Sequence, residues 1–431
     1  MEHPNQALDS THPDFFTALR VWIKIGLLSF GGPAAQIALM HKLVVEEKNW
    51  LSEKQYLNAL NFCMLLPGPE AMQLASYAGW RMHGVRGGLA AGLSFVLPGA
   101  LVILILAGVY SVYGDISIIN ALFLGIKAAV IVVVVEALLR VAKRALVKTE
   151  HWLIAAFAFV GIFFFNLPYP LIVVAAAALG FTRSRSDQSA YQTIAKPAML
   201  GATLKTVITW LAIWVIPFVL LYALGDQQFL LKLGAFFSKL AVVTFGGAYA
   251  VLAYLAQDVV TQFGWLTADE MMDGLGLAET TPGPLILVTE FVGFIAGFRE
   301  GGIALGITAA LITLWVTFVP CFLWIFAGAP YIEWISAQPR LKGALSAITA
   351  AVVGVILNLS VWFALHVLFA SVTATKMGPL SLWIPEWSTL DWRVLLLVVG
   401  CAIALLRLHW SLMVVLAMSA MAGLALQLPS L

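Results

Sequence analysis

The sequence predicts an all-α polytopic membrane protein of about 13 transmembrane segments arranged in two inverted-topology repeats. Three observations predict it. Hydrophobic residues make up 61% of the 431-residue chain and charged residues only 11%, whereas a soluble domain carries about 45–50% apolar and about 25% charged residues. The apolar runs are continuous rather than alternating, which selects helices over a barrel. Finally, a set of short motifs occurs twice at one fixed spacing, and a duplication settles the architecture before any single element does.

The duplication is read residue by residue. Phe30-Gly31-Gly32 returns as Phe245-Gly246-Gly247, a step of 215 (245 − 30). At the same step Trp50-Leu51 returns as Trp265-Leu266, Pro67-Gly68-Pro69 as Pro282-Gly283-Pro284, and Lys24 as Lys239. A spanning helix needs about 20 apolar residues, and runs of that kind divide the chain into four parts. Residues 1–14 form a polar tail and 15–182 the first repeat; 183–228 is a linker with one extra transmembrane helix, and 229–431 the second repeat. The segments at 152–166 and 169–182 are short and flank Asn166-Leu167-Pro168-Tyr169-Pro170, so a tight hairpin is an alternative to two crossings. Either way an odd number of crossings separates the two repeat starts, which places the repeats in opposite orientations. The loop lysines and arginines, about thirteen on the N-terminal side against about seven on the other, predict an N-terminus inside and a C-terminus outside. The first apolar run carries Arg20 and Lys24, so no cleavable leader is expected.

Inverted repeats with Gly/Pro-interrupted helices mark secondary transporters, whose sites lie near the midplane. Candidate site residues follow from that. Lys24 and Lys239 each sit six residues before a Phe-Gly-Gly inside an apolar helix; a cation there needs a partner, and an anion, an ion pair or snorkelling to an interface would all serve. The glycines of Phe30-Gly31-Gly32 and Phe245-Gly246-Gly247 allow the helix to unwind and present a positive half-helix end, or form a packing notch. Pro67-Gly68-Pro69 and Pro282-Gly283-Pro284 must break a helix. Glu70 follows the first break, while Glu279, Thr280 and Thr281 precede the second, so these breaks line a path or act as structural kinks. Glu70, Glu136, Asp273, Glu279 and Glu290 are candidate proton carriers or ion-pair partners for the buried lysines. Lys127 and Lys342 also match at the 215-residue step, each near the start of an apolar segment. A cation opposes the helix dipole there, so either a carboxylate neutralises it or an anion visits. Gly88-x-x-x-Gly92 and Gly302-x-x-x-Gly306 read as close-packing faces.

Several classes are disfavoured. Net charge is only +2, so no nucleic-acid partner is expected. Cys63, Cys321 and Cys401 have no metal or redox spacing and read as structural thiols, with no metal and no cofactor expected. No Walker, HExxH, GxSxG or Rossmann motif is present, which excludes ATP-driven transport on this chain and disfavours an enzyme.

With both copies of all three motifs in order, the chain resembles the chromate ion transporter family in its long form with two homologous halves, over residues from about 15 to 428. The resemblance implies export of chromate from the bacterial cytoplasm across the inner membrane, giving chromate resistance. Its motif residues here are Phe30, Gly31, Gly32, Pro67, Gly68, Pro69, Phe245, Gly246, Gly247, Pro282, Gly283 and Pro284. Pro33 of the first copy is Ala248 in the second, so the halves are not equivalent. Sulfate or another oxyanion, with chromate incidental, is the alternative substrate. The partners expected are that small oxyanion and the lipid bilayer, with a homodimer left open.

Overall fold

Each repeat opens with the same run of helices, and the same local chemistry sets their ends. In the computed structural model, which describes residues 13–114, 116–183, 200–225, 227–245, 247–336 and 338–427, α1 (Phe15–Leu28) starts where the Asp14 carboxylate accepts from the Phe16 and Thr17 amides at 3.1 and 3.3 Å. It stops before Gly31 and Gly32, whose φ angles of +82° and +76° only glycine adopts without strain. Next, α2 (Gly32–His41) runs on through a π-helical turn at Lys42–Glu47. A capping box then opens α3 (Glu53–Cys63): Ser52 Oγ accepts from the Gln55 amide and Gln55 Oε1 from the Ser52 amide. The second half repeats each step. There α9 (Gln228–Val243) is followed by α10 (Ala248–Gln257) with a π turn at Asp258–Gln262, then α11 (Ala268–Thr280) on a Thr267/Glu270 box. The two boxes are themselves 215 residues apart (267 − 52).

The longest helices turn back on themselves. Helix α4 (Glu70–Tyr113) leaves helical geometry at His83 and Gly84. A Cβ on Gly79 would lie 2.3 Å from the Gly87 carbonyl oxygen, although eight residues of straight helix span about 12 Å. Residues 70–82 therefore lie against 85–113 as a helical hairpin. Similarly, α12 (Val288–Gly328) breaks at Gly301 and Gly302, and Gly297 reaches back to within 2.7 Å of the Leu305 carbonyl oxygen, measured from a built Cβ. This corrects the reading of Gly302 as a packing face: it has φ +74° and open space around it, and it makes the reversal. Gly88 and Gly92 do pack closely, against Phe326 and Phe322.

With α5 (Ser117–Ala145), α8 (Leu200–Leu224) and α14 (Pro339–Leu368), the regions around α4 and α12 supply five helices long and apolar enough to cross a membrane. The short α6 (Thr149–Phe163) and α7 (Tyr169–Arg183) return on each other, since Arg183 Nη1 comes within 3.5 Å of Glu150 Oε2. A short α13 (Ile332–Ser336) precedes α14, and α15 (Trp392–Ala402) and α16 (Leu412–Gln427) close the chain, with α16 packed on α5 through Gly125 and Ser419. One feature departs from the all-α expectation. Strands β1 (Val372–Met377) and β2 (Leu380–Pro385) form an antiparallel hairpin around Gly378, and the Ser381 amide donates to the Phe164 carbonyl at 2.7 Å. It lies between two long apolar runs, in a stretch the sequence reading left unassigned. The core runs through Trp22, Phe62, Phe95, Phe237, Phe291 and Phe363, all fully buried. The polar linker falls largely at residues outside those described.

Candidate functional site

The duplicated motifs meet crosswise. The Gly68 amide, in the first Pro-Gly-Pro, donates to the Thr244 carbonyl at 2.9 Å, just before the second Phe-Gly-Gly. Reciprocally, the Gly283 amide donates to the Ser29 carbonyl at 2.8 Å, just before the first Phe-Gly-Gly. The hydroxyls of Ser29 and Thr244 each return to the carbonyl four residues earlier, Ile25 and Leu240, at 2.6 and 2.5 Å. Each broken helix thus satisfies backbone groups of the opposite half, which unwound chain at membrane depth requires. Gly68 needs its φ of +118° here, and an added Cβ would stand 2.8 Å from Cys321 Sγ.

The two crossings differ in what surrounds them. At the Gly283 crossing, Gln36 Nε2 donates to the Gly283 and Ser29 carbonyls at 2.6 and 3.2 Å. Leu285, which occupies the position matching Glu70, is buried there. At the Gly68 crossing the space is open, and a cavity of about 900 Å³ reaches Gly68, Glu70, Gly247 and Ala248. Asn58, Asn61 and Tyr249 line it further out, and Arg140, Arg144, His151 and Lys342 supply basic groups. Glu70 sits close to Gly247, whose built Cβ lies 3.7 Å from Glu70 Oε1. Three helix N-termini open on this cavity, those of α2, α4 and α10, and none has a side-chain cap. Uncapped amide ends and the helix dipole favour an anion.

The basic groups are not equally committed. Arg140 pairs with Glu136 at 2.5 Å. Arg144 Nη2 reaches Met64 Sδ at 3.1 Å, and no carboxylate of the described residues lies within ion-pair distance of Arg144 or Lys342. The cavity therefore combines helix amide ends and the Glu70 carboxylate on its floor with two cations, Arg144 and Lys342, that no carboxylate of the described residues pairs within ion-pair distance.

Comparison with known proteins gives the family. A sequence profile described as chromate transporter matches residues 16–181 and 231–424. The chain belongs to the chromate transporter family. A chromate transport protein of Pseudomonas aeruginosa is 32% identical over 370 residues, covering 82% of this chain and 83% of the relative. A probable chromate transport protein of Synechococcus elongatus is 29% identical over 342 residues, covering 78% of this chain and 81% of the relative. An uncharacterized transporter of Methanocaldococcus jannaschii is 26% identical over 359 residues, covering 83% and 86%. No solved structure matches. As a chromate transporter family member the chain is a membrane transporter rather than an enzyme.

Within this chromate transporter fold the remaining predicted residues fall in three groups. Lys24 and Lys239 do not come together: both are exposed, on the outer faces of α1 and α9, and neither lines the cavity. The helices turn Trp22, Ile25, Phe237 and Leu240 inward, so the lysines two turns or less away face outward; Lys239 Nζ rests 5.7 Å from the Tyr254 ring. Of the readings open for these lysines, an anion site shared by the two has no support in this arrangement. Phe30, Phe245, Pro67, Pro69, Pro282 and Pro284 frame the crossings, Gly246 lies outside the described residues, and Thr281 turns its hydroxyl to the Ala278 carbonyl at 3.0 Å. Among the carboxylates, Glu136 pairs with Arg140, and Glu279 accepts from the Tyr249 hydroxyl at 2.8 Å. Asp273 accepts from the Tyr110 hydroxyl at 2.8 Å and faces Lys127 at 3.4 Å. Glu290 is fully buried with neither carboxylate oxygen hydrogen-bonded among the described residues.

Sequence reasoning missed Ser29, Thr244, Gln36, Asn58, Tyr249 and Arg144. For Ser29 and Thr244 a signal existed: both precede Phe-Gly-Gly at the shared spacing. Arg144 was counted only as a loop charge, since nothing local shows that the end of α5 curls over the cavity.

Proposed function

We propose that the protein exports chromate from the cytoplasm across the inner membrane, taking the dianion into the cavity beside Gly68 and Gly247, and thereby confers chromate resistance. One observation carries the reading: three uncapped helix N-termini and the unpaired Arg144 converge on one cavity. A tetrahedral dianion accepts hydrogen bonds on every side, and fixed amide donors balance its charge without reorganising.

Direction follows from an inverted arrangement of the halves. The apolar segments amount to five full crossings, by the long arms of α4 and α12 with α5, α8 and α14; the others enter partway and return. Three crossings (α4, α5 and α8) then separate Phe15 from Gln228, so the second half starts on the opposite face. His83 Nε2 lies 2.8 Å from the Pro13 carbonyl oxygen, which supports the placing of the first reversal beside the N-terminus. The basic end of α5, with Arg140, Lys143, Arg144 and Lys148, returns to that same face, which the positive-inside bias assigns to the cytoplasm. The cavity thus opens to the cytoplasm, ready to load. Moving a dianion outward with the membrane potential is favourable by about 2.3 kcal/mol per charge per 100 mV, so the potential alone drives export.

Everted membrane vesicles loaded by an imposed potential test this. Chromate uptake that saturates, grows with the potential and is lost in Arg144→Gln supports the reading. Potential-independent flux overturns it, and equal competition by sulfate shifts the substrate to oxyanions in general.

A further inference from the structure

We propose that Lys342 is a substrate-binding cation, and that the anion occupies beside it the place a carboxylate occupies beside its counterpart Lys127. The inference rests on the cavity reading above and deepens it. Lys127 and Lys342 are related by the 215-residue step (342 − 127), yet they meet different neighbours. Lys127 Nζ lies 2.8 Å from Asp269 Oδ1 and 3.4 Å from Asp273 Oδ1, and Tyr110 donates to the same Asp273 at 2.8 Å. That cluster ties α5 to α11, and Gly276 of α11 packs so closely on Ile126 of α5 that a Cβ would lie 2.3 Å from it.

Carried back by 215 residues, Asp269 becomes Lys54, Asp273 becomes Asn58 and Gly276 becomes Asn61. Both acids that neutralise Lys127 are gone, and the glycine that permits contact has become a side chain. The result is visible in the fold: Asn58 and Asn61 on α3 and Lys342 on α14 face the same cavity instead of closing on each other. On one side of the molecule the lysine holds a shut ion pair. On the other an equivalent lysine has no carboxylate of the described residues within ion-pair distance and shares an open cavity with the Asn58 and Asn61 amides. Replacing a carboxylate by an amide changes a site that supplies its own anion into one that needs an anion from outside. A tetrahedral oxyanion with two charges accepts from the Lys342 ammonium and the Asn58 amide together. Specificity for dianions over chloride follows from the several donors offered in different directions.

The test is chromate uptake by the purified full-length protein in proteoliposomes, read as KM and maximal rate separately. Lys342→Gln is expected to raise KM by about tenfold or more, the usual loss for a hydrogen bond to a charged group. Asn58→Asp rebuilds beside Lys342 the pair seen at Lys127, and it is expected to raise KM to a similar degree while adding no bulk. Lys376→Gln, on the β-hairpin away from the cavity, serves as the charge-loss control and leaves KM unchanged. A wild-type KM in both Lys342→Gln and Asn58→Asp overturns the proposal, as does a fall in maximal rate alone, which marks a structural role. Ala34→Trp, which places an indole over the N-terminus of α2 inside the cavity, separates the two layers. If it abolishes uptake while the Lys342 and Asn58 variants keep KM, the cavity reading stands and the Lys342 assignment fails; if uptake persists, the cavity reading itself fails.

Discussion

Single residues decide whether each buried polar group has a partner. Lys127 is 14% exposed and its buried partner Asp273 only 4%, so neither is balanced by water. Removing Lys127 leaves the buried Asp273 without a counter-charge, whereas replacing both members by neutral groups of similar size is often close to neutral. Lys127→Met is expected to destabilise the detergent-solubilised protein by about 3 kcal/mol, with most of that recovered in the Lys127→Met/Asp273→Asn double variant. Thermal unfolding of the two variants checks it, and a double variant as unstable as the single would remove the ion-pair account. Arg140 makes the contrasting case: its pair with Glu136 is more than half exposed on the arginine side, and little stability rests on it.

At the scale of elements, glycine position determines direction. Gly84 (φ +59°, ψ −150°) and Gly302 (φ +74°, ψ −166°) occupy a region essentially closed to other residues. They convert two long apolar runs into hairpins, each with one short and one full-length arm. Gly84→Ala and Gly302→Ala are each expected to cost about 1–3 kcal/mol. Gly201→Ala, in an exposed turn of α8 with nothing within 4 Å of the added Cβ, should instead be neutral or gain up to about 1 kcal/mol. Unfolding midpoints of the three variants, compared in one detergent, read this directly. Equal loss at all three positions would mean that backbone conformation is not what matters at the reversals. The capping boxes at Ser52 and Thr267 act at the same scale, since each fixes where the helix leading into a Pro-Gly-Pro begins.

For the whole molecule, the two halves use one plan and end in unequal states. Glu47 and Gln262 are equivalent by the 215-residue step and both are exposed at the ends of their π turns. In a protein whose Cys63, Cys321 and Cys401 are replaced, a membrane-impermeant thiol reagent should label Gln262→Cys in intact cells. Glu47→Cys should be labelled only in everted vesicles. Labelling of both from the same face would reverse the inverted arrangement and, with it, the direction of transport proposed above. The inequality of the halves is as informative as their likeness. One crossing is filled by Gln36 and Leu285 and locked nearby by Lys127, while the other opens on Glu70 and Gly247.

The sequence by itself determined the membrane class, the duplication and the breaks at Phe-Gly-Gly and Pro-Gly-Pro, because apolar run length and glycine or proline chemistry are local properties; the reversals at Gly84 and Gly302 it did not show. It also named Gly68 and Gly247, which the fold brings to one cavity. Tertiary structure alone decided which half supplies partners to which, and so which residues share the cavity. Lys24 looked buried along the sequence, but helix rotation turned it outward; Lys342 looked like its twin Lys127, but packing gave one a carboxylate and the other an open space. Contacts between residues more than a hundred positions apart depend on how helices rotate and cross, and no short stretch of chain encodes that.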